Sequence, residues 1–395
     1  YESRRNLDEN NSYTATVFST LAADPITPVY RDNLVDIPDF LQNRIMGGYE
    51  PTNPWSRYTG VIYSNKPNTV GQVDRSALNQ WHGIATKSNI SGEVKLLPFL
   101  TFKSSIALDL VRNQSDSFRP SYYLDGDEYS TYAGASRSVA NKDYWVFDNY
   151  LTYNQKFDKH AVTAMVGTSA EKERYEEIYA YKEGQVNNNP NQQIINAGTM
   201  NPASGYYATS TLNSYFGRVF YSFDNRYMIT ANIRWDGSSK FADGNRWGCF
   251  PSVSAGWNFS EESFMKNLEW LSQGKLRAAW GEIGNQTISS GAYMNTFGNG
   301  SYYLFGNPYQ TNLYAGRTQV GNPDLKWETT RQLDFGLDLA FFQGSLRATF
   351  DYFDRQTSDM LVQVPVPSSL GFPNTPWMNA GSVSNKGFEV TFGYD

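Results

Sequence analysis

The chain has 395 residues, and 33 basic against 39 acidic side chains give a formal charge of −6. Aromatic residues reach 16% and charged residues only 18%, a balance too apolar for a disordered chain and too weakly charged for a nucleic-acid binder. One cysteine and two histidines exclude an intramolecular disulfide framework, a Cys-rich zinc site and a His-rich metal site.

No run approaches the ~18 apolar residues of a membrane-crossing helix, whereas a β-barrel, polar in its lumen and loops, is compatible with the negative mean hydropathy. Residues 1–3 carry neither the basic nor the apolar region of a signal peptide. Residues 387–395 still alternate where the sequence stops. Together these ends read as a piece of a longer protein.

Period-2 alternation predicts strands near residues 12–19, 83–96, 98–111, 145–157, 160–174, 212–223, 226–236, 250–260, 275–283, 329–341, 345–357 and 386–395. Tyr227, Ile229, Ala231, Ile233 and Trp235 are apolar between the mostly polar Met228, Thr230, Asn232, Arg234 and Asp236. Leu333, Phe335, Leu337, Leu339 and Phe341 alternate with Gln332, Asp334, Gly336, Asp338 and Ala340, and Phe388, Val390, Phe392 and Tyr394 follow the same rule. Several of these strands are about ten residues long. Ordinary strands have ~5–6, and a tilted strand needs ~9–11 to cross a bilayer.

The connections alternate in length. Leu97-Pro98, Asp158-Lys159, Asp224-Asn225 and Gln343-Gly344 have turn chemistry. Between them lie the long segments 20–82, 112–144, 175–211, 237–249, 284–328 and 358–385. In an up-and-down antiparallel sheet this puts short turns at one end and long loops at the other, the pattern of an outer-membrane barrel. A short helix is expected over 261–274, where Phe264, Leu268 and Leu271 have helical spacing, Ser260 is a candidate cap and Glu261 and Glu262 suit a helix N-terminus. Tyr227 and Phe341 near the short turns, and Trp235 at the far end of its strand, fit interfacial aromatic girdles. A soluble β-sandwich accounts for the alternation but not for the strand length or the one-sided loops.

Catalytic constellations are thin. His160 follows a tight turn, where a solvated rim residue is expected, and His82 has no triad partner nearby. Cys249 opens a strand between Gly248 and Phe250. Glu171, Glu173, Glu176 and Glu177 are interleaved with Lys172 and Arg174, as in a solvated strand end entering a loop rather than a glycosidase pair. Asp125, Asp127 and Glu128 depart from calcium-loop spacing after the third position. No phosphate-binding Gly-Lys-Ser/Thr motif occurs. The reading is of a non-enzyme with no catalytic residue, metal ligand or cofactor. The binding candidates are Tyr302, Tyr303, Phe305, Tyr309 and Tyr314 in one long loop, with Asn299, Asn307 and Asn312 among them, and Trp377 in another. Such rings stack on sugars or grip peptides, or pack within loops and against a partner. Asn232, Arg234, Asp334 and Asp338 are expected to face a lumen.

A run of motifs carries a family likeness. Leu212-Asn-Ser-Tyr-Phe-Gly-Arg-Val, Asp236-Gly-Ser-Ser-Lys-Phe, the segment from Trp247 to Trp257, Lys275-Leu-Arg-Ala-Ala-Trp-Gly281, Gly321-Asn-Pro-Asp-Leu-Lys-Trp-Glu-Thr-Thr330 and Asn385-Lys-Gly-Phe-Glu389 resemble, in order, the SusC/RagA family of TonB-dependent outer-membrane transporters. The resemblance implies a large barrel closed by an N-terminal plug, a TonB box reached from the periplasm, and a SusD-like surface lipoprotein as lid. Its cargo would be oligosaccharides or peptides too large for porins. Residues 1–395 would then be part of one barrel domain in the outer membrane of a Gram-negative bacterium, with plug and closing strands outside this chain. Expected partners are the lipoprotein, TonB through the N-terminal part, outer-membrane lipid and cargo, and no nucleic acid. The alternatives are a secreted β-rich glycan-binding protein or glycoside hydrolase, and a passive porin.

Overall fold

A computed structural model describes residues 2–4, 20–21, 27–30, 68–76, 78–123, 129–185, 195, 199–200, 203–265, 268–305, 310–367, 369 and 375–394, with the backbone alone for 2–4, 123, 199–200, 299–305 and 310–316. Its strands are β1 (Glu2–Arg4), β2 (Gln80–Leu97), β3 (Leu100–Arg119), β4 (Tyr122–Tyr123), β5 (Tyr129–Ser130), β6 (Gly134–Phe157), β7 (His160–Glu183), β8 (Thr199–Met200), β9 (Ser204–Phe223), β10 (Tyr227–Ser238), β11 (Trp247–Asn258), β12 (Leu271–Asn285), β13 (Thr296–Phe305), β14 (Gln310–Gln319), β15 (Glu328–Phe341), β16 (Leu346–Ser358), β17 (Leu361–Gln363), β18 (Trp377–Asn379) and β19 (Val383–Tyr394). Among the described residues one sheet takes them in the order β1-β2-β3-β6-β7-β9-β10-β11-β12-β15-β16-β19, with β8 beside β7. Pairs β4-β5, β13-β14 and β17-β18 form hairpins of their own. This is the antiparallel up-and-down order that the alternating connections predict. The strand expected near 12–19 lies outside the described residues.

Two compact units share the strands, one of residues 1–87, 109–144 and 174–208, the other of 88–108, 145–173 and 209–395. The first contains helix α1 (Thr69–Ser76), inside the segment read from sequence as a loop. Asn68 caps it by accepting from the Gly71 amide at 3.1 Å. Its buried cluster is Phe118, Ala133 and Ala135, with Leu78 against it.

In the second unit the turns largely behave as their residues dictate. Asp158, Asp224, Asn225 and Gly344 have positive φ, between 51° and 95°, a region that Asp, Asn and Gly tolerate best, while Phe342 and Gln343 adopt it at 52° and 59° without that preference. Register fixes the faces. Phe335 lies opposite Ala278 and Tyr352, and Leu337 opposite Leu276 and Phe350. One face is therefore apolar and exposed, with Phe388 and Tyr394 more than 80% accessible. On β15 this apolar row runs from Phe341 to Leu333. Eight residue steps give roughly 27 Å along a strand, and about 21 Å across a bilayer at ~40° tilt, near the ~25 Å band of such barrels. On the same face the ion pair Lys386–Asp354 at 2.8 Å stands level with Leu333, and Arg331–Glu282 at 3.0 Å lies one step beyond. At the short-turn end Trp270 stacks on Phe341 with centroids 5.8 Å apart. At the other end of β9–β11 Tyr215 stacks on Trp247 at 5.9 Å, with Trp235 half exposed nearby in register with Tyr215.

Two expectations are corrected. The loops at 112–144 and 175–211 are shorter than expected, because β3, β6, β7 and β9 all continue into them. There buried apolar residues such as Phe118 and Ala135 are mixed with charged ones out of strict alternation, so hydropathy loses its period while the backbone ladder continues. The ion pairs Arg137–Asp116 and Arg112–Asp143, each 2.5 Å, bridge the strands there. The Glu171–Glu177 cluster accordingly lies within β7 instead of at a strand end, and Ser138 Oγ donates to Glu177 at 2.9 Å. The helix expected over 261–274 is also absent among the described residues. A 3-10 turn at Phe259–Glu261 leads into successive i→i+3 turns, each amide of Glu262, Met265, Leu268 and Leu271 donating three residues back at 3.0–3.1 Å. β12 then claims residues 271–274. Glu262 is held by Tyr227, Trp257 and Arg226, which pins the segment before a helix can wind.

Candidate functional site

At the long-loop end, turns that sequence reading left as loops form a packed knot. Phe241, Ile288, Ala292, Leu325 and Trp327 are buried together, with Leu212, Phe250, Leu361 and Trp377 against them. Leu325 is fully buried. The Trp327 ring lies 5.3 Å from both Phe241 and Phe250, and its Nε1–H donates to the Arg246 carbonyl at 2.8 Å.

Asparagines stitch the backbones. Asn322 Nδ2 donates to the Trp377 carbonyl at 3.0 Å, and Asn379 exchanges two 2.9 Å hydrogen bonds with the backbone of Lys326. Glu328 accepts from the Leu361 amide at 2.9 Å and from Asn285 Nδ2 at 3.1 Å. A Cβ at Gly321 would stand 2.2 Å from the Met294 backbone, so only glycine fits there. The Gly321–Glu328 motif is thus the tie of a loop knot.

From this knot projects the hairpin β13-β14. Gln319 Nε2 donates to the carbonyls of Gly291 (2.9 Å) and Met294 (3.1 Å), and the Gly321 amide donates to Asn295 Oδ1 at 3.2 Å. Tyr302, Tyr303 and Phe305 lie on β13 opposite Leu313, Asn312 and Gln310, and Tyr314 on β14 opposite Ser301. Tyr309 lies outside the described residues. Two further residues join the group at its base: Phe297 is largely exposed, with the Arg317 guanidinium 6.0 Å over its ring. Their place beside the tyrosines in one segment was the available signal. Trp377 is apart from this hairpin, partly buried against the knot.

The polar face of the sheet carries the other candidates. Asn232 Nδ2 donates to Ser252 Oγ at 3.0 Å. Arg234 Nε donates to both carboxylate oxygens of Asp236 (2.7 and 3.0 Å), and its Nη2 donates to Ser214 Oγ at 2.8 Å. Asp334 accepts from Gln332 at 3.0 Å. Asp338 accepts two hydrogen bonds from Arg277, at 2.7 and 3.0 Å, and Arg277 reaches Asp351 at 2.9 Å. Gly336 makes this possible, since a Cβ there would sit 2.6 Å from the guanidinium. Sequence reading missed Arg277 and Asp351, although alternation in β12 and β16 already put them on this face. Among the described residues no group of His, Cys, Asp and Glu is arranged to hold a metal ion.

The family described as TonB dependent receptor-like, beta-barrel, matches residues 8–395. The chain belongs to the TonB-dependent receptor family. It is 34% identical over 366 residues to TonB-dependent receptor P39 of Formosa agariphila, covering 92% of this chain and 33% of that protein. It is 32% identical over 390 residues to TonB-dependent receptor SusC of Bacteroides thetaiotaomicron, covering 95% of this chain and 37% of that one. The fold superposes on the structure of the RagAB peptide transporter with a TM-score of 0.73 at 23% identity, over 84% of this chain and 36% of that one. The chain thus spans about a third of the length of these curated relatives. It is an outer-membrane β-barrel portion of that family, with short turns at one end of the sheet and long loops at the other, and it is similar in sequence to SusC and in fold to RagAB.

Proposed function

We propose that this chain forms part of the wall and mouth of an importer that takes oligosaccharides or peptides across the outer membrane, with a SusD-like lipoprotein as lid and TonB acting on a plug outside this chain. The observation that carries the reading is the anchored aromatic hairpin. An arm rich in Tyr and Asn, fixed at its base by a buried knot, is suited to grip a large flexible cargo at low ordering cost. The polar face, with Asn232, Arg234, Asp334 and Asp338, is read as the lumen wall, and its charge network as the surface a plug packs on. Residues outside this chain complete the barrel, because an unpaired strand edge in a bilayer costs several kcal/mol per backbone group. The secreted alternative conflicts with the broad exposed apolar face.

The test uses the full-length receptor with its lid protein. Replacing Tyr302, Tyr303 and Phe305 together by Ala should weaken cargo binding at least tenfold by calorimetry while the barrel stays folded. Oligosaccharide and peptide pools form separate arms, and unchanged binding of both would assign these rings to packing or partner contact.

A further inference from the structure

On the lipid-facing side, Ala255 and Ala278 are direct partners in register between β11 and β12. In the same row Ile229 precedes them and Phe335 and Tyr352 follow. One step toward the short turns stand Tyr227, Trp257 and Leu276. Two adjacent methyl side chains among large ones leave a hollow, and the structure shows it as an apolar groove of about 690 Å³ lined by Tyr227, Ala255, Trp257, Ala278, Phe335 and Tyr352. That volume is within the ~300–1,000 Å³ of ordinary ligand sites.

The groove is open to the bilayer side, and its lower wall is tied to a charged cluster. Glu262 accepts from the Tyr227 hydroxyl at 2.5 Å, from Trp257 Nε1 at 3.2 Å and from Arg226 at 2.9 Å. Arg226 also pairs with Asp224 at 2.7 Å, and Lys159 reaches Asp224 at 3.4 Å. Two cations and two carboxylates thus meet where the apolar band gives way to water. Lys159 is the most exposed of the four and Asp224 the next.

We infer that this groove holds one acyl chain of a periplasmic-leaflet phospholipid, with a zwitterionic head at the Lys159–Asp224–Arg226 cluster. The occupant follows from three features. The groove lies within the face that meets lipid. Its lining is apolar where a chain would lie. The cluster at its end offers both signs of charge, so the phosphate meets Lys159 and Arg226 while the ammonium meets Asp224. An anionic head without an ammonium leaves Asp224 facing like charge.

The full-length receptor is reconstituted in nanodiscs of equal phosphatidylethanolamine and phosphatidylglycerol, extracted into mild detergent, and its retained lipid counted by native mass spectrometry. Wild type should retain one lipid, chiefly phosphatidylethanolamine. Ala255→Phe fills the groove and should abolish retention. Lys159→Gln, in an exposed turn that leaves folding intact, should lower it roughly fivefold, the effect of one interfacial cation. Retention unchanged in Ala255→Phe overturns the chain's place in the groove. Phosphatidylglycerol kept as well as phosphatidylethanolamine overturns the head assignment. A wild-type protein that keeps no lipid and runs as a dimer, with Ala255→Phe monomeric, assigns the groove to a second copy and overturns both.

Discussion

Glu262 is a single acid around which a turn is organised. Its carboxylate accepts from Tyr227, Trp257 and Arg226, and the Tyr227 hydroxyl, with the other donors, holds it below the ordinary value of 4.5. Its neighbour Asp224 is held below 3.8 mainly by the Arg226 guanidinium. A depressed folded-state value means stabilisation that is fully present above the unfolded value and lost as pH falls through the folded one. Glu262→Gln should therefore unfold earlier in urea than wild type at pH 6, and the gap should close as the pH is lowered below about 4.5. A gap independent of pH between 6 and 3 would show that the carboxylate's charge is not what holds the turn. The lesson for sequence reading is local. Glu261 and Glu262 were read as helix-start acids, but one of them is spent on Tyr227 and Trp257, partners 35 and 5 residues away. No window-based periodicity contains that information.

At the scale of elements, the knot decides how the long loops stand. Trp327 contributes buried ring area and one hydrogen bond to the Arg246 carbonyl. Trp327→Phe keeps most of the packing and orphans that carbonyl, which should cost about 1–3 kcal/mol. Trp327→Ala should cost about 3–5 kcal/mol and free the hairpin's base. Proteolysis of the loop end would report this, with cleavage between 286 and 327 rising in the order wild type, Phe, Ala. Equal cleavage would mean that the knot does not hold the hairpin. Much of the sheet was legible because an exposed apolar face and a polar face impose a period of two, as in β10 and β15. The upper reaches of β6 and β7 were not, since small, aromatic and charged residues are mixed there without a clean period of two. The hairpin β13-β14 lay within the long segment 284–328 that turn chemistry marks as a loop, although its tyrosines were visible as a group. The knot was legible only as motif residues, because its contacts join segments as far apart as Phe241 and Trp377.

For the whole molecule the decisive matter is which face meets lipid. Ala231 lies midway along the apolar row of β10 between Tyr227 and Trp235, opposite Val219 and Val253. Asn232 lies opposite Arg218 and Ser252 and donates to the latter. The two positions share backbone geometry, strand and depth, and differ in facing alone. An arginine at 231 must carry its charge into hydrocarbon near the bilayer midplane, which costs about 2–4 kcal/mol. An arginine at 232 stays on the polar face, loses the hydrogen bond to Ser252 and meets Arg218 across the strand pair, which together should cost about 1–2 kcal/mol. A urea refolding titration in lipid vesicles compares Ala231→Arg with Asn232→Arg directly. A larger loss at 231 follows if the apolar face is outward. Equal losses, or a larger one at 232, would turn the sheet inside out. Arg277, Asp338 and Asp351 would then face lipid together, and a charge cluster of that kind in hydrocarbon has no means of paying its desolvation.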